Sequence, residues 1–472
     1  MNTNTYASQP QLLHTLNDTG TENTIGKSIS NIKSANTSRL IILASTILLL
    51  LGATYMVYEL QPDIEKLHFE RLSTTWGFYF IAITTVLLVY KLLYFLFNVV
   101  LYFKYKPVES VTDELLPTVT VIVPAYNEGR LVYDTLVSLV KSKYPAEKLQ
   151  LLAIDDGSKD DTWNWMQKAK ADLGDSISIF KQPKNMGKRH ALYRGFKLGT
   201  GEVFVTVDSD SVVKEDTLRN LVSPFVVNPK CGAVAGNVQV LNNSNAIIPK
   251  MLNVSFVLSF EFMRSAQSTL GSVLCTPGAL SAYRRDVVFN CLEAWINQTF
   301  NGQASDIGED RAMTNMIMKQ GYHVLFQSNS YVLTNVPEQY KGLYKMFIRW
   351  GRSNVRENLM MGKFVYSKFR EEKSRFGTRL IFFDSALNMI LAYPFILLMF
   401  VLVCLNPLIF LTTTLFGILI SSSFSVFFYA KKHTLKGSGW AYAYSLLYTF
   451  GLFWIMPYAI ATVSRGGWLT RG

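Results

Sequence analysis

Residues 202–210, EVFVTVDSD, decide the fold class of this chain. Their β-branched and aromatic side chains are typical of a buried strand, and carboxylates follow the strand directly. Similar runs occur earlier, as TVTVIVPAY from Thr118, QLLAIDDGS from Gln150 and SISIFKQ from Ser176. Strands of a parallel sheet end in polar residues in this way when their carboxyl ends face a ligand crevice. The pattern therefore predicts an α/β domain that binds a nucleotide.

Long apolar runs lie on both sides of this central region. Residues 40–60 and 77–102 precede it, and residues 382–404, 406–430 and 439–462 follow it. A helix needs about 20 apolar residues to cross a hydrocarbon core about 30 Å thick. We therefore predict two transmembrane helices within residues 39–104 and further spans within residues 379–463, four to six in total. Residues 1–38, rich in Asn, Thr and Ser, predict a disordered leader.

The charges beside these runs predict their orientation. Lys27, Lys33 and Arg39 precede the first run, and Lys104 and Lys106 follow the second, whereas the loop between the runs carries more acidic than basic residues. Basic flanks favour the cytosolic side, so we expect a cytosolic central domain in an integral protein of the plasma (inner) membrane. Three C-terminal spans would put the C-terminus outside, but the basic tail, residues 464–472, favours a cytosolic end. Both topologies stay open.

The composition narrows the classes of partner. The chain has 472 residues, 49% of them hydrophobic, and a formal net charge of +12 that is spread among apolar runs and the central domain. Membrane lipid headgroups and a nucleotide diphosphate explain this distribution better than nucleic acid, which we do not expect as a partner. The four cysteines have no CxxC spacing, so neither a zinc site nor a disulfide framework is indicated.

The most informative acidic motif is Asp208-Ser209-Asp210, at the end of the predicted strand. Carboxylates at this spacing, where a buried strand meets a loop, can hold one hard divalent ion against a diphosphate. A solvated acidic loop is the alternative, and the position directly after a strand favours the metal site.

A second acidic pair, Asp155 and Asp156, closes an earlier strand. These carboxylates can accept hydrogen bonds from a base or a ribose. Alternatively the segment starts a helix, because Ser158 and Asp160 are good N-cap residues. The pattern allows both roles.

Residues 187–189, Gly-Lys-Arg, begin a predicted helix. A cation beside free backbone N–H groups suits an anionic ligand. An exposed basic helix start is the alternative, and the spacing does not choose between them.

Two further motifs lie nearer the C-terminus. Residues 308–311, Gly-Glu-Asp-Arg, begin a helical stretch, where a carboxylate can serve as a general base or as a helix cap. Residues 339–378 are amphipathic and contain Arg349 and Trp350. An indole can stack on a sugar while a guanidinium binds pyrophosphate, but interfacial helices also favour these residues for their lipid contacts.

The order of these motifs between apolar runs, from about residue 40 to the C-terminus, resembles the processive family-2 synthases. Specifically, it resembles the group that contains the hyaluronan, chitin and nodulation chitooligosaccharide synthases. Residues 274–284, LCTPGALSAYR, resemble the priming-loop signature of that group, and residues 308–315, GEDRAMTN, resemble its catalytic signature.

The resemblance implies a GT-A fold for residues 115–338, UDP-sugar donors, Mn²⁺ or Mg²⁺, and an inverting reaction. It implies that the nucleotide sugar is bound by Asp155, Asp156, Lys188, Asp208 and Arg349. It implies metal ligands at Asp208 and Asp210, and a general base at Asp310. It implies acceptor or channel contacts at Cys275, Glu309, Arg311 and Trp350.

One departure concerns the motif that the family usually writes Q-x-x-R-W, because Met346 stands at the Gln position. This puts processivity in doubt more than transfer. We expect a membrane-integrated synthase that transfers N-acetylglucosamine-type sugars, alone or alternating with glucuronic acid, to a growing β-linked polysaccharide and exports it. The alternatives are a non-processive transferase that uses a lipid-linked acceptor and, from another class, a catalytically silent membrane scaffold.

Overall fold

The computed structural model describes residues 22–244 and 246–466. Its helices are α1 (Glu22–Glu59), α2 (Gln61–Leu72), α3 (Thr75–Lys104), α4 (Leu131–Val140), α5 (Thr162–Leu173), α6 (Lys188–Leu198), α7 (Thr217–Val227), α8 (Ile247–Val257), α9 (Ser265–Thr269), α10 (Arg285–Ile296), α11 (Glu309–Lys319), α12 (Tyr340–Gly362), α13 (Glu372–Ile390), α14 (Ala392–Leu405), α15 (Pro407–Lys432), α16 (Leu435–Ser438), α17 (Trp440–Leu446) and α18 (Ile455–Ala461). Its strands are β1 (Val119–Ala125), β2 (Leu149–Asp155), β3 (Ser178–Lys181), β4 (Val203–Val207), β5 (Ser211–Val213), β6 (Cys231–Val240), β7 (Leu280–Arg284), β8 (Thr299–Phe300), β9 (Gln303–Ala304) and β10 (His323–Thr334). Short π-helices at Leu258–Arg264 and Leu447–Gly451 and 3₁₀ turns at Ala146–Lys148 and Gly174–Ser176 complete the elements.

The central domain is built on one mixed sheet with the strand order β3-β2-β1-β4-β7-β6-β10-β5. Strands β1 to β4 pair in parallel, from Val119 opposite Leu149 to Ala125 opposite Asp155 in the first pair. Strand β7 is antiparallel to both of its neighbours. The four strands expected from the sequence are thus confirmed. Because their carboxyl ends meet at one edge, the acidic motifs that follow β2 and β4 lie at the same edge.

The core of this domain packs against both faces of the sheet. Strands β1 and β4 are buried along their whole length. On one face, Phe196 of α6 lies 5.2 Å from the ring of Phe204 and 5.9 Å from that of Trp295, measured between ring centroids. These contacts hold α6 and α10 against the sheet, which fixes the start of α6 at the acidic edge.

Several helices have the length and composition of membrane spans. Among the described residues, Leu40–Glu59, Thr75–Lys104 and Pro407–Lys432 qualify, and two bent pairs, α13 with α14 and residues 435–461, raise the number to five if each pair is one span. No part of the most apolar stretch of Thr75–Lys104 is buried inside the protein. An apolar surface of this length requires lipid, in agreement with the expectation of a membrane protein.

The predicted disordered leader is wrong in part. Helix α1 begins at Glu22, so residues 22–38 are helical, and residues 1–21 lie outside the described part of the chain. Once a helix is nucleated in an apolar run, each added residue forms a hydrogen bond at low cost, so a polar extension can continue it. Of the predicted basic tail, residues 467–472 also lie outside the described residues.

The two ends of the last bent pair, residues 435–461, contact the central domain and the neighbouring helix α12, respectively. Just before it, His433 Nε2 lies 3.3 Å from a carboxylate oxygen of Glu261. Just after it, Arg352 Nε donates a hydrogen bond of 3.1 Å to the hydroxyl of Thr462. Helix α12, which carries Arg352, packs along α18. The pair therefore starts and ends on the same face of the molecule.

Candidate active site

A cavity of about 850 Å³ opens at the carboxyl edge of the sheet, a volume that suits a nucleotide sugar. Most of the predicted site residues line it: Asp156, Lys188, Asp208, Asp210, Cys275, Glu309, Asp310, Arg311, Arg349 and Trp350. Asp155 does not line it, because this side chain is fully buried at the end of β2. The structure thus brings together residues that lie far apart in the chain.

Lys188 joins two of the acidic motifs. Its ammonium lies 2.5 Å from a carboxylate oxygen of Asp208 and 3.3 Å from one of Glu309. Burial opposes the charge of Lys188, but Asp208 and Glu309 together hold its pKa above the usual lysine value. The site therefore contains a permanent cation between carboxylates. A diphosphate can replace one of these carboxylates as the partner of the Lys188 ammonium.

The position of Lys188 depends on Asp156. One carboxylate oxygen of Asp156 accepts a hydrogen bond of 2.7 Å from the backbone N–H of Gly187, and the other accepts bonds from Met186 N–H and Gln182 Nε2. Burial raises the pKa of Asp156, and the two backbone donors oppose this increase. Asp156 thus fixes the segment that enters α6, a role that the sequence did not reveal.

Asp155 and its neighbours hold the adjoining loop. One Asp155 oxygen accepts a hydrogen bond of 3.0 Å from Ser158 N–H, while Asp160 accepts from Thr162 N–H at the start of α5. The N-cap residue of α5 is Asp161, whose side chain makes no cap hydrogen bond, so neither Ser158 nor Asp160 is the N-cap considered for this segment. The predicted contact of Asp155 with a nucleotide stays a prediction.

Asp208 and Asp210 offer oxygen ligands of the kind that Mn²⁺ and Mg²⁺ prefer. Asp210 accepts a hydrogen bond of 3.2 Å from Thr334 Oγ1, which orients its carboxylate at the cavity wall. No cluster of three or more His, Cys, Asp or Glu suited to a metal occurs in residues 22–244 and 246–466, so substrate oxygens would complete the coordination. The pair fits a metal that is shared with a diphosphate.

Gly278 leaves the space above these groups open. A Cβ atom at this position would lie 2.5 Å from the Lys188 ammonium and 3.5 and 3.6 Å from the carboxylate oxygens of Asp208. Because Gly278 has no side chain, a space remains open over the Lys188 ammonium and the Asp208 carboxylate, and we call this space the cradle. This space belongs to the main cavity, which Gly278, Lys188 and Asp208 line together.

Asp310 lies in the cavity wall at the start of α11. Gly308, in the left-handed conformation at φ +79°, makes the turn that directs this helix start toward the cavity. Burial raises the pKa of Asp310, Glu309 raises it further, and Lys188 and the backbone N–H of Arg311 oppose the increase. A carboxylate with a raised pKa is a stronger base than an ordinary aspartate.

Cys275 is the thiol beside this carboxylate. Its sulfur lies 3.7 Å from Asp310 Oδ2. Burial, with the charge of Asp310, raises the pKa of Cys275 to about 12, so the thiol stays protonated. It is therefore a neutral neighbour of the carboxylate and not a nucleophile.

Arg311 is tied to α12. Its guanidinium donates to the side-chain oxygens of Asn354 and, at 2.6 Å, Asn358. Glu309 is tied to α10, since its carbonyl accepts a hydrogen bond of 2.9 Å from Trp295 Nε1. These contacts fix the position of α11, and with it the position of Asp310.

Trp350 forms one end of an aromatic wall. Its ring lies 5.5 Å from that of Phe347 and 6.2 Å from that of Phe256, and Phe256 lies 5.7 Å from Phe260. Met346, at the position of the usual Gln, lines the same cavity and is buried. Aromatic faces of this kind suit the apolar faces of sugar rings.

Sequence reasoning missed Phe256, Phe260 and Arg264, which also line the cavity. They lie at intervals of four along α8 and the π-helix Leu258–Arg264, so they share one face. The apolar run around them has no motif of its own, and the spacing of Phe256, Phe260 and Arg264 was the available signal.

Comparison with known proteins agrees with this geometry. The model of the family described as "Glycosyltransferase like family 2" matches residues 117–353, about half of the chain. The chain belongs to glycosyltransferase family 2. The predicted family resemblance is confirmed, and this family-2 glycosyltransferase is an enzyme by its family.

Two relatives narrow the comparison. An N-acetylglucosaminyltransferase of Rhizobium meliloti (strain 1021) is 32% identical over 253 residues, which are 53% of this chain and 59% of that protein. A hyaluronan synthase of Streptococcus pyogenes is 30% identical over 300 residues, 62% of this chain and 68% of that protein. The match to the rhizobial protein thus spans less than two thirds of its length.

A solved structure supports the fold of the family-2 glycosyltransferase. The mannosyltransferase PcManGT of Pyrobaculum calidifontis, in complex with GDP-Man and Mn²⁺, superposes with a TM-score of 0.52 at 21% identity, covering 81% of this chain and 96% of that one. The family match and this superposition confirm the predicted GT-A fold, which is flanked by apolar helices.

Proposed function

We propose that this protein is a membrane-integrated, inverting polysaccharide synthase that transfers N-acetylglucosamine-type sugars from UDP-sugars to a growing β-linked chain. The observation that carries the proposal is the shared cavity. It places the Asp208 and Asp210 carboxylates, the Asp310 carboxylate and the Trp350 ring around one space. The named relatives, which transfer N-acetylglucosamine or make hyaluronan, support the sugar class.

The donor end of the cavity is the acidic edge of the sheet. There the Lys188 ammonium, 2.5 Å from Asp208, can bind a phosphate oxygen of the departing UDP. Asp208 and Asp210 would hold a Mn²⁺ or Mg²⁺ ion, whose positive charge stabilises a diphosphate leaving group. Arg349, which lines the same cavity, would add a guanidinium for the phosphates.

The acceptor end is the wall with Asp310 and Trp350. The sugar ring stacks on Trp350, and Asp310 accepts the proton of the acceptor hydroxyl as its oxygen attacks the anomeric carbon. The bond from that carbon to the UDP oxygen breaks at the opposite face. Inversion of an α-linked donor gives a β-linked product.

We also propose that the product is exported through the protein, and the contacts of the last bent pair bear on the number of membrane crossings. Residues 435–461 start beside the central domain and end beside helix α12, as the contacts of His433 with Glu261 and of Thr462 with Arg352 indicate. We therefore infer four crossings, α1, α3, the α13–α14 pair and α15, with the last pair re-entrant. The basic residues that flank the apolar runs then favour a cytosolic location for the catalytic domain and residues 462–466.

The test is incorporation of radiolabelled UDP-N-acetylglucosamine into polymer by purified membranes, with and without UDP-glucuronic acid and Mn²⁺. Wild type should give a high-molecular-weight product that requires the metal. Asp310→Asn should reduce the rate by about 100- to 10,000-fold, the usual contribution of a general base. Dependence on the second donor separates a hyaluronan-like product from a chitin-like one.

A second candidate, a non-processive transferase that acts on a lipid-linked acceptor, is favoured by Met346 at the Gln position. Label that appears in the lipid extract, with no polymer under any donor mixture, would establish it. Failure of the protein to bind uridine nucleotide and metal would instead indicate a silent scaffold.

A further inference from the structure

Three buried side chains form a chain of hydrogen bonds behind the cavity. Arg189, in the first turn of α6, donates a hydrogen bond of 3.0 Å from Nη1 to Gln298 Oε1. Gln298 Nε2 donates one of 2.9 Å to Glu357 Oε1 on α12, and the other oxygen of Glu357 accepts one of 2.8 Å from Asn315 Nδ2 on α11. All four side chains are buried, and none lines the cavity. We call Arg189, Gln298 and Glu357 the link.

The chemistry of these groups fixes the direction of the link. A guanidinium can only donate, so the amide oxygen of Gln298 faces Arg189 and its amide nitrogen faces Glu357. Arg189 Nη1 is itself held by a second bond, of 2.7 Å, to the carbonyl of Trp295. Asn315 is fixed too, because the same Nδ2 donates 2.9 Å to the carbonyl of Glu357. The side chain of Glu357 thus faces two donors, and only a group with two acceptor oxygens satisfies both.

The link joins the donor end of the cavity to the acceptor end. Arg189 directly follows Lys188, the cation of the donor end. Glu357 lies on α12, about one turn after Asn354 and about two turns after Trp350, and both of these residues line the cavity. A shift of Glu357 would therefore move the wall of the acceptor end relative to the cation of the donor end.

The charges along the link are coupled. Burial lowers the pKa of Arg189, and the charges of Glu309 and Glu357 oppose this decrease. The charge of Glu357 therefore acts on Arg189 across the Gln298 amide. A buried polar group that loses its partner costs free energy, so the groups beside a broken bond move to regain partners. One broken bond in the link should displace both helices that it joins.

We propose that Glu357 is a positioning residue for sugar transfer, which sets the place of α12 relative to the start of α6 through Gln298 and Arg189. This inference rests on the proposed synthase function and adds a residue that touches neither the donor nor the acceptor. Without the link, the donor should still bind, but the acceptor hydroxyl would no longer lie in line with the anomeric carbon. Water does not depend on α12 for its alignment, so hydrolysis of the UDP-sugar should continue.

The experiment compares transfer with hydrolysis on the purified full chain in lipid nanodiscs. Radiolabelled UDP-N-acetylglucosamine is supplied with Mn²⁺, with and without UDP-glucuronic acid, and the label is counted in the polymer and in the free sugar. The readout is the ratio of the two rates, which does not depend on the fraction of folded protein. Glu357→Gln replaces one acceptor oxygen by a donor that faces Gln298 or Asn315. It should lower the ratio by about 10- to 100-fold, since a misplacement of about 1 Å can cost about 100-fold in rate.

A swap of the two groups should restore the ratio. When Gln298→Glu is combined with Glu357→Gln, the carboxylate accepts from Arg189 and from the amide nitrogen at position 357, and the amide oxygen there accepts from Asn315. Each hydrogen bond of the link and the net charge are kept. Gln298→Glu alone places two carboxylates face to face and should lower the ratio, whereas the double variant should return to within about twofold of wild type.

Gln320→Glu provides a matched control at the other end of α11. Gln320 Nε2 donates a hydrogen bond of 3.0 Å to the carbonyl of Val287, and Gln320 does not line the cavity. The same chemical change at this position places a carboxylate against a carbonyl, away from the link. Gln320→Glu should lower the unfolding temperature and keep the wild-type ratio.

The outcomes separate this inference from the proposed function. A wild-type ratio in Glu357→Gln, equal losses of transfer and hydrolysis, or a double variant no better than the single ones would overturn the role of Glu357 while the synthase proposal stands. If one single variant does not fold, the other single variant and the double variant carry the same test. A wild type that incorporates no sugar in any donor mixture would overturn the synthase proposal, and this inference with it.

Discussion

Replacement of Gly278 by alanine tests whether the cradle above Asp208 and Lys188 is part of the donor site. The new Cβ would lie 2.5 Å from the Lys188 ammonium. Non-bonded heavy atoms settle at about 3.5 Å, so the ammonium must move by roughly 1 Å. The present contact between Lys188 and Asp208, 2.5 Å long, would then change in length and direction by up to roughly 1 Å.

The cost to folding should be small, because the atom that must move is the far end of a flexible lysine and Gly278 is not among the residues with positive φ. The cost to activity should be large, since a misplacement of about 1 Å in a site can lower the rate about 100-fold. We expect Gly278→Ala to lower kcat/KM for the UDP-sugar by about that factor, with the unfolding temperature nearly unchanged.

The assay is release of UDP by the purified protein, with thermal unfolding measured on the same sample. Gly417→Ala is the control, because a Cβ at Gly417 would meet nothing within 4 Å. Wild-type kcat/KM in Gly278→Ala would refute the cradle. A large drop in unfolding temperature would show that the glycine serves the fold instead.

The remaining predictions concern pH, a buried hydrogen bond and a pair of charges among the apolar helices. Because burial and then Glu309 raise the pKa of Asp310, kcat/KM should begin to fall, as the pH decreases, at a higher pH than for an ordinary aspartate. Glu309→Gln should move this fall to lower pH. Identical pH profiles of wild type and Glu309→Gln would show that Glu309 does not raise the pKa of Asp310. Trp295→Phe removes the donor to the Glu309 carbonyl and should destabilise the protein by about 1–2 kcal/mol in chemical unfolding, and an unchanged midpoint would argue against that hydrogen bond. Asp384→Asn weakens the contact with the Lys91 ammonium, which lies 2.5 Å away on α3. This change should destabilise the detergent-solubilised protein by about 1 kcal/mol. A thermal unfolding curve equal to that of wild type would contradict the expectation.

The strands and the acidic motifs could be predicted because their signal is local. In β1 and β4, consecutive buried residues are followed by polar ones, and this pattern is typical of the strands of parallel sheets. The helices α6 and α11 were expected at Lys188 and Glu309 for the same reason. Their glycines, Gly187 and Gly308, adopt positive φ just before each helix.

The spacing of Phe256, Phe260 and Arg264 indicates a shared helix face, but the sequence could not predict that this face lines the cavity, because that depends on contacts between distant segments. Phe256 and Arg264 face the cavity only after α8 packs beside β6 and α12 brings Trp350 next to Phe256. The role of Asp156 was hidden for a similar reason. Its partners, the backbone N–H groups of Met186 and Gly187, are 30 and 31 residues away in the chain.

The contact between the end of the described chain and the central domain has a practical consequence for handling this protein. Arg356 Nη2 donates a hydrogen bond of 3.0 Å to the carbonyl of Val463, and Asn301 donates one of 2.9 Å to the hydroxyl of Ser464. A Cβ on Gly466 would lie 2.8 Å from a carboxylate oxygen of Asp306, which lines the cavity. A reporter or affinity tag fused directly after residue 466 would begin beside a residue of the cavity wall, so purification handles belong at the other end of the polypeptide.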